Sequence, residues 1–366
     1  MDIQLIRKKE LADYGKTVLE RFKSDIPISP ERALSQSLNP DAREEDILLI
    51  TASENRKLLS FIGIYPGKVD NDPSRRIFWV SCWWKANGVS SAVSRLVLEK
   101  FIEFAGENSG VPHLPSHIIP VLSKHNIRIQ GREGMLVRFR SAWHSRSLQR
   151  SIKGRFSKPV ALLRRSGMLR LTDMLLNSTS SVRLLAVNQA NTASFNLFSH
   201  LPGEDFFSFI HQNFAGYMTL PVKESLEWIC GNPWLVRPRD ANAEILRRYH
   251  FSYVAAEFEH FFVEMRDEGK RVGAGFLSNR DGAVKTLFLF VLPGYREQFF
   301  NQLCASIQSQ KKYHSLLTYE PEFVAFLQSR QNSRMKVEHV KRYTGTGNPA
   351  YISLQPTDAD GDSCFT

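Results

Sequence analysis

Seven consecutive residues, Lys85-Ala86-Asn87-Gly88-Val89-Ser90-Ser91, put a cation, an amide, a glycine and two hydroxyls into one short stretch. That is the chemistry of an anion cradle. Glycine lets the main chain approach a phosphate, while lysine and serine supply charge and hydrogen bonds. The stretch is neither a Walker A loop, which needs Gly-Lys-Ser/Thr, nor a three-glycine dinucleotide fingerprint. An ordinary strand-to-helix turn has the same composition, so the stretch alone does not decide. Proton-transfer groups stand on both sides of it: Asp70 and Asp72 before, His113, His117 and His125 after. Histidine titrates near neutrality, so each could serve as a general base, and each also reads as a plain surface histidine. Cys82 lies among Phe78, Trp79, Trp83 and Trp84, where a thiol is structural rather than nucleophilic. The aromatic cluster allows two readings, a core packed on both faces of a strand or a wall of Trp79, Trp83 and Trp84 that stacks on a sugar ring. Strand alternation predicts Trp79 and Trp83 on one face, with Phe78 and Trp84 on the other. Neither CxxC spacing nor a histidine in zinc-finger register occurs, so no metal site is expected.

These residues need a scaffold, and the chain offers the same one twice. Ile47 to Thr51 and Leu58 to Tyr65 read as a hairpin closing at Pro66-Gly67. A polar link, Asp70 to Arg76, leads to a long strand, Ile77 to Trp84. Ala92, Val93, Leu96, Val97, Phe101 and Phe104 then recur at helical spacing, with Ser90 or Ser91 as N-cap and Gly106 as stop. In the second half, Phe261 to Met265 and Val272 to Leu277 form a hairpin around Asp267-Glu268-Gly269. Thr286 to Leu292 is the long strand, Pro293-Gly294 the break, and Phe299 to Ile307 the helix. The order suggests duplication, with Leu58 to Ile62 aligned on Val272 to Phe276 and Trp79 to Trp84 on Leu287 to Leu292.

At Lys85-x-x-Gly88-x-Ser90 the chain resembles the GNAT acyltransferase superfamily, whose motif Arg/Gln-x-x-Gly-x-Gly/Ala joins strand four to the following helix. The hairpin carrying Phe61-Ile62-Gly63 is similar as well. So is the closing portion Ile118 to Arg138, read as a helix, a turn at Gly131-Arg132-Glu133-Gly134 and a last strand, Met135 to Phe139. The resemblance implies an α+β fold of two GNAT-like domains, each a mixed, mostly antiparallel sheet flanked by helices. It places one domain at 1–140 and a second at 180–354, while composition gives a basic linker at 141–179 and a disordered tail at 355–366. It implies acetyl-coenzyme A or another acyl-coenzyme A as co-substrate and transfer of the acyl group to an amine or hydroxyl. Lys85, Asn87, Gly88, Ser90 and Ser91 fall on the cofactor loop, and Val80 or Ser81 on the strand amide that polarises the thioester carbonyl. Leu122 stands where the family's acid tyrosine is expected, which leaves acid and base among Asp72, His113 and His117. The second copy has Leu292-Pro293-Gly294-Tyr295-Arg296 at the loop and reads as degenerate. Tandem copies also resemble Fem-type transferases, so transfer from aminoacyl-tRNA and a non-catalytic scaffold stand as alternatives.

Charge narrows the partners. The chain of 366 residues has 48 basic and 37 acidic residues, a net of +11. Ten of the basic residues lie between Gly134 and Thr172, a stretch without Asp or Glu, and the rest of the chain is nearly neutral. Such a segment fits a solvated linker, a surface that attracts anionic ligands, or peripheral contact with an anionic membrane through 141–170. Its few aromatics and the lack of any RRM, KH or helix-turn-helix signature argue against sequence-specific nucleic-acid reading. With the tryptophans, the segment makes a sugar or cell-envelope glycan precursor the favoured acceptor. The opening residues carry no apolar leader region, no stretch is long and apolar enough to span a bilayer, and the 4 cysteines are scattered. A cytoplasmic location is therefore expected.

Overall fold

A computed structural model describes residues 1–70, 72–140, 193–330 and 336–365. The basic linker expected at 141–179, with its membrane contact, lies outside the described residues. The described chain forms two compact units, and they are not sequential halves. Unit 1 comprises Met1–Arg132, Leu201–Ala255 and Lys341–Thr366, and unit 2 comprises Glu133–His200 and Ala256–Val340. The boundaries drawn from the resemblance therefore change: a continuous stretch of chain does not make one domain.

Each unit is a mostly antiparallel sheet flanked by helices. In unit 1 the strands are β1 (Asp2–Arg7), β2 (Ile47–Glu54), β3 (Lys57–Val69), β4 (Asp72–Lys85), β5 (Ser109–Val111) and, from Lys341 onward, β12 (Lys336–Thr346), side by side in that order. All neighbours are antiparallel except β4 and β5. Helices α1 (Lys8–Arg21) and α2 (Pro30–Ser37) cover one face, where Leu11, Val18, Ala33, Phe61 and Cys82 share a core. Helix α3 (Ser91–Ala105) covers the other, packing Val97, Leu98 and Phe101 on Ile62, Ile64, Phe78 and Val80. A short helix α4 (Ile119–Ser123) follows, and Leu122 is buried in the same core.

Unit 2 repeats the plan. Its order is β6 (Arg128–Arg138), β11 (Ser315–Thr318), β10 (Ala283–Val291), β9 (Lys270–Arg280), β8 (Phe258–Asp267) and β7 (Ser194–Phe198). Only Glu133 onward of β6 belongs to unit 2, and the residues that pair with β11 are Met135 to Arg138. As in unit 1, one pair is parallel, here β10 with β11. Helices α8 (Arg296–Ser309) and α9 (Pro321–Ser329) bury Phe299, Leu303, Ile307, Phe323 and Leu327. Between these segments α5 (Glu204–Asn213), α6 (Lys223–Gly231) and α7 (Ala243–Arg248) belong to unit 1.

The last strands are exchanged. The sixth strand of unit 1 comes from the end of the second half of the chain, where Gly345 and Thr346 of β12 face Val111 and Gly110. The sixth strand of unit 2 comes from the end of the first half. The supposed turn at Gly131-Arg132-Glu133-Gly134 is instead the middle of the continuous strand β6, the place where the chain leaves one unit for the other.

Three further expectations change. The polar link Asp70 to Arg76 contracts to a tight connection, because β3 and β4 extend to meet it. The duplication register shifts too. Both long strands carry a one-residue bulge, at Ser81 between the Gly63–Cys82 and Ile64–Val80 pairs, and at Leu287 between the Phe276–Phe288 and Leu277–Thr286 pairs. Matching bulge to bulge places Gly63 on Phe276, one residue off the hairpin alignment, and Ser81 on Leu287, two off the strand alignment. Finally, the tail expected to be disordered is folded. Residues Gly361–Phe365 form a 3-10 turn with Phe365 fully buried, because the acidic side chains meet buried arginines rather than water.

Candidate functional site at the end of strand β4

The geometry around β4 starts from a single extra residue. With Ser81 bulged out, alternation resets, so Phe78, Val80 and Trp83 pack on the α3 face while Cys82 and Trp84 pack on the α1/α2 face. Trp79 and Trp83 therefore do not share a face, which corrects the alternation argument. Each tryptophan is also engaged within unit 1. Trp79 is 1% exposed. Trp83 donates its indole N–H to Ser94 Oγ at 2.8 Å, and Trp84 lies against His250 with ring centroids 4.9 Å apart. Burial pushes the Cys82 thiol up, which disfavours the thiolate.

The bulge coincides with a divergence of strands. Among the described residues β4 pairs with β5 at Phe78–Ser109 and Trp79–Gly110, while its pairing with β3 runs on to Lys85. From Val80 on, the β5-side edge of β4 opens, and this edge leads straight into the residues of the anion cradle. Val80 and Ser81 sit where the opening begins.

Beyond Lys85 the chain turns through Asn87 and Gly88, both exposed, into α3. Gly88 has φ 78°, and a Cβ built on it meets nothing within 4 Å, so the space beside this main chain is open. Ser90 is the N-cap of α3, its Oγ accepting from the Ala92 N–H at 3.2 Å. Ser90 and Ser91 are exposed at the first turn, where unpaired N–H groups and the helix dipole favour an anion. Lys85 differs from a reaching cation. Its Nζ donates to the carbonyls of Ala86 at 3.3 Å and Val89 at 2.7 Å, which staples the loop into shape.

The proton-transfer candidates separate. Asp72 begins β4, and a 14-residue strand spans about 40 Å at roughly 3.3 Å per residue. It therefore stands at the wrong end of β4. There it accepts from the Ser74 hydroxyl at 2.6 Å and the Ser74 N–H at 2.8 Å, which hold its carboxyl below the usual range. His113 follows β5 by two residues and, because β5 is parallel to β4, lies at the opening's end of the sheet. His117 lies a little further along the same connection, in a 3-10 turn, and both histidines are exposed.

One pair escaped the sequence reading. His250 Nε2 lies 2.6 Å from Asp25 Oδ1, and the imidazole stacks on Trp84 at 14° between planes. Both residues belong to unit 1. The chain around them is braced by Arg248, which donates to the carbonyls of Ser24, Phe22 and Leu19, and by the Ile26 N–H to the Arg248 carbonyl at 3.0 Å. A carboxylate-oriented imidazole is suited to accept a proton. A separation of 225 positions leaves no local signal for the pair.

The sequence matches no family model and no curated protein. Solved structures are similar in trace. A GCN5-related N-acetyltransferase from Anabaena variabilis shares 9% identity over 96% of this chain and 74% of its own, with a TM-score of 0.48. A conserved Enterococcus faecalis protein, described as a probable N-acyltransferase, shares 11% over 94% and 71%, at 0.49. A tandem GNAT protein from the clavulanic acid biosynthesis pathway shares 9% over 95% and 99%, at 0.43. All three lie below a TM-score of 0.5, so the reading of the site rests on the strand geometry above.

Proposed function

We propose that unit 1 is an acyltransferase that takes an acyl-coenzyme A along the open edge of β4 and passes the acyl group to an amine or hydroxyl. The observation that carries this reading is the bulge at Ser81, the divergence from β5, and the run of that edge into an open glycine turn and a helix N-terminus. The residues present fit such a ligand. Open space at Gly88 admits a pyrophosphate beside the main chain, the first turn of α3 supplies N–H donors, and Asn87, Ser90 and Ser91 supply polar side chains. Lys85 keeps the loop in this shape through its two carbonyl bonds. The β5-side main chain from Val80 to Lys85 offers extended hydrogen-bonding groups to the chain of the ligand, and an N–H near the bulge is suited to polarise the thioester carbonyl.

His250, oriented by Asp25, is the proton acceptor we assign, in place of Asp72. His113 and His117 hold the other lip of the opening. The tryptophans do not form the single wall on which a sugar acceptor was expected to stack, since Trp79 is buried and Trp83 and Trp84 lie on opposite faces of β4.

Calorimetric titration with acetyl-coenzyme A tests the reading. Saturable binding that disappears in Gly88→Glu is the expected result, and no heat at millimolar ligand with a folded protein overturns it.

A further inference from the structure

The last stretch of unit 1, Thr357–Phe365, is acidic and yet buried. Asp358, Asp360 and Asp362 are 2%, 1% and 6% exposed. Arginines from three separate elements of the unit converge on it. Arg32 of α2 donates to Asp362 Oδ2 at 2.6 Å and to the Tyr249 hydroxyl at 3.0 Å. Arg342 of β12 donates to Asp358 Oδ1 at 2.7 Å, to Ser363 Oγ at 2.6 Å and to the Pro112 carbonyl at 2.8 Å. Arg132 of β6 reaches the same Asp358 oxygen at 3.3 Å. Phe365 fills an aromatic slot, its ring centroid 4.0 Å from that of Trp234. Gly361, at φ 64°, lets the main chain lie against the sheet, where a Cβ would stand 2.8 Å from Pro112 and 3.3 Å from Trp79.

Charged forks and one aromatic anchor are how an acidic peptide is recognised. Arg32 and Arg342, whose side chains are 3% exposed, lose their carboxylate partners if the segment leaves, so the vacated cleft favours another anion. It also has polar capacity to spare. Among the described residues nothing meets Nε1 of the buried Trp234, whose ring lies against Phe365 and Arg32.

We propose that the cleft of Arg32, Arg132 and Arg342 is a binding site for an acidic, peptide-like ligand, and that Thr357–Phe365 occupies it in cis. A second consequence rests on the acyltransferase reading. Trp79 and Cys82, beneath the segment and beside Arg32, belong to the face of β4 turned away from α3. The segment then shields that face from an acceptor, and the natural acceptor carries carboxylates of its own.

The test uses the full chain with a specific protease site inserted after Ser353, cut only once the protein has folded. A fluorescein-labelled peptide of residues 354–366 is then added and followed by anisotropy. The expected result is saturable exchange into the cut protein, weakened at least tenfold when the peptide carries Asn at positions 358 and 362, and weakened likewise in Arg32→Gln and Arg342→Gln proteins. Three results overturn the proposal: loss of the cooperative melt on cutting, which makes the segment ordinary core; retention without exchange while the fold persists; or equal binding of the Asn peptide, which leaves Phe365 as the whole anchor. None of these measurements involves coenzyme A, so they stand apart from the calorimetric test.

Discussion

At the scale of single residues, Asp360 makes the sharpest statement about pH. Burial pushes its carboxyl up to about 6, against the hydrogen bonds of Thr219 and Thr357 and the charge of Arg132. The folded protein thus holds a proton that the unfolded chain releases near pH 4. Stability from this group is complete below that pH and is lost as pH rises through 6, by about 3 kcal/mol at 1.36 kcal/mol per pKa unit. Hydrogen exchange in Thr357–Phe365 is accordingly expected to be less protected at pH 8 than at pH 5, once corrected for intrinsic rates. In Asp360→Asn the dependence flattens, and an unchanged slope would show that another group titrates. The proton acceptor is tested in the same register. His250→Gln should lower acyl-coenzyme A turnover at least tenfold and leave cofactor affinity within twofold, whereas Asp72→Asn should alter neither. Residue types here were legible in ways that contacts were not. Gly88 is the open approach its residue type suggests, and Cys82 is the buried thiol its aromatic neighbours suggest. The Asp25–His250 pair depends on a loop and a distant helix end meeting in space, which no spacing rule encodes.

At the scale of elements, the boundaries of α3 follow directly from local chemistry, with Ser90 capping its start and Gly106 at φ 56° ending it. Ser90→Ala is expected to cost about 1 kcal/mol of stability by chemical denaturation, and Ser90→Gly only a few tenths. Equal losses would mean that the cap bond contributes nothing. The strands were harder to read. Hairpins and long strands stand where hydrophobic runs put them, but the bulges at Ser81 and Leu287 leave no trace in composition. A one-residue insertion flips every side chain after it, which is why Trp83 was assigned to the wrong face. Deleting Ser81 restores plain alternation. It should leave Cys82 and Trp84 on their present face while removing the kink at which the edge towards β5 opens, and is expected to abolish acetyl-coenzyme A binding even where circular dichroism shows the fold retained.

At the scale of the whole molecule, two α+β sheets were foreseeable from the repeated order of elements, while their ownership of chain was not. Local patterns describe neighbours in sequence, and the exchange of β6 and β12 concerns partners far apart. A fragment ending at residue 140 lacks both the sixth strand and the 201–255 segment of unit 1. It should therefore show no cooperative melt by calorimetry, and a sharp transition would refute the exchanged arrangement. The same exchange sets a timetable for synthesis. Val111 emerges from the ribosome long before Gly345, its unit's closing partner. At roughly 5–20 residues per second, that interval is on the order of tens of seconds. During it β5 remains an open edge, able to pair with whatever strand comes near, including one from a neighbouring nascent chain. Crowded polysomes are thus a setting in which this open edge meets the matching strands of other copies.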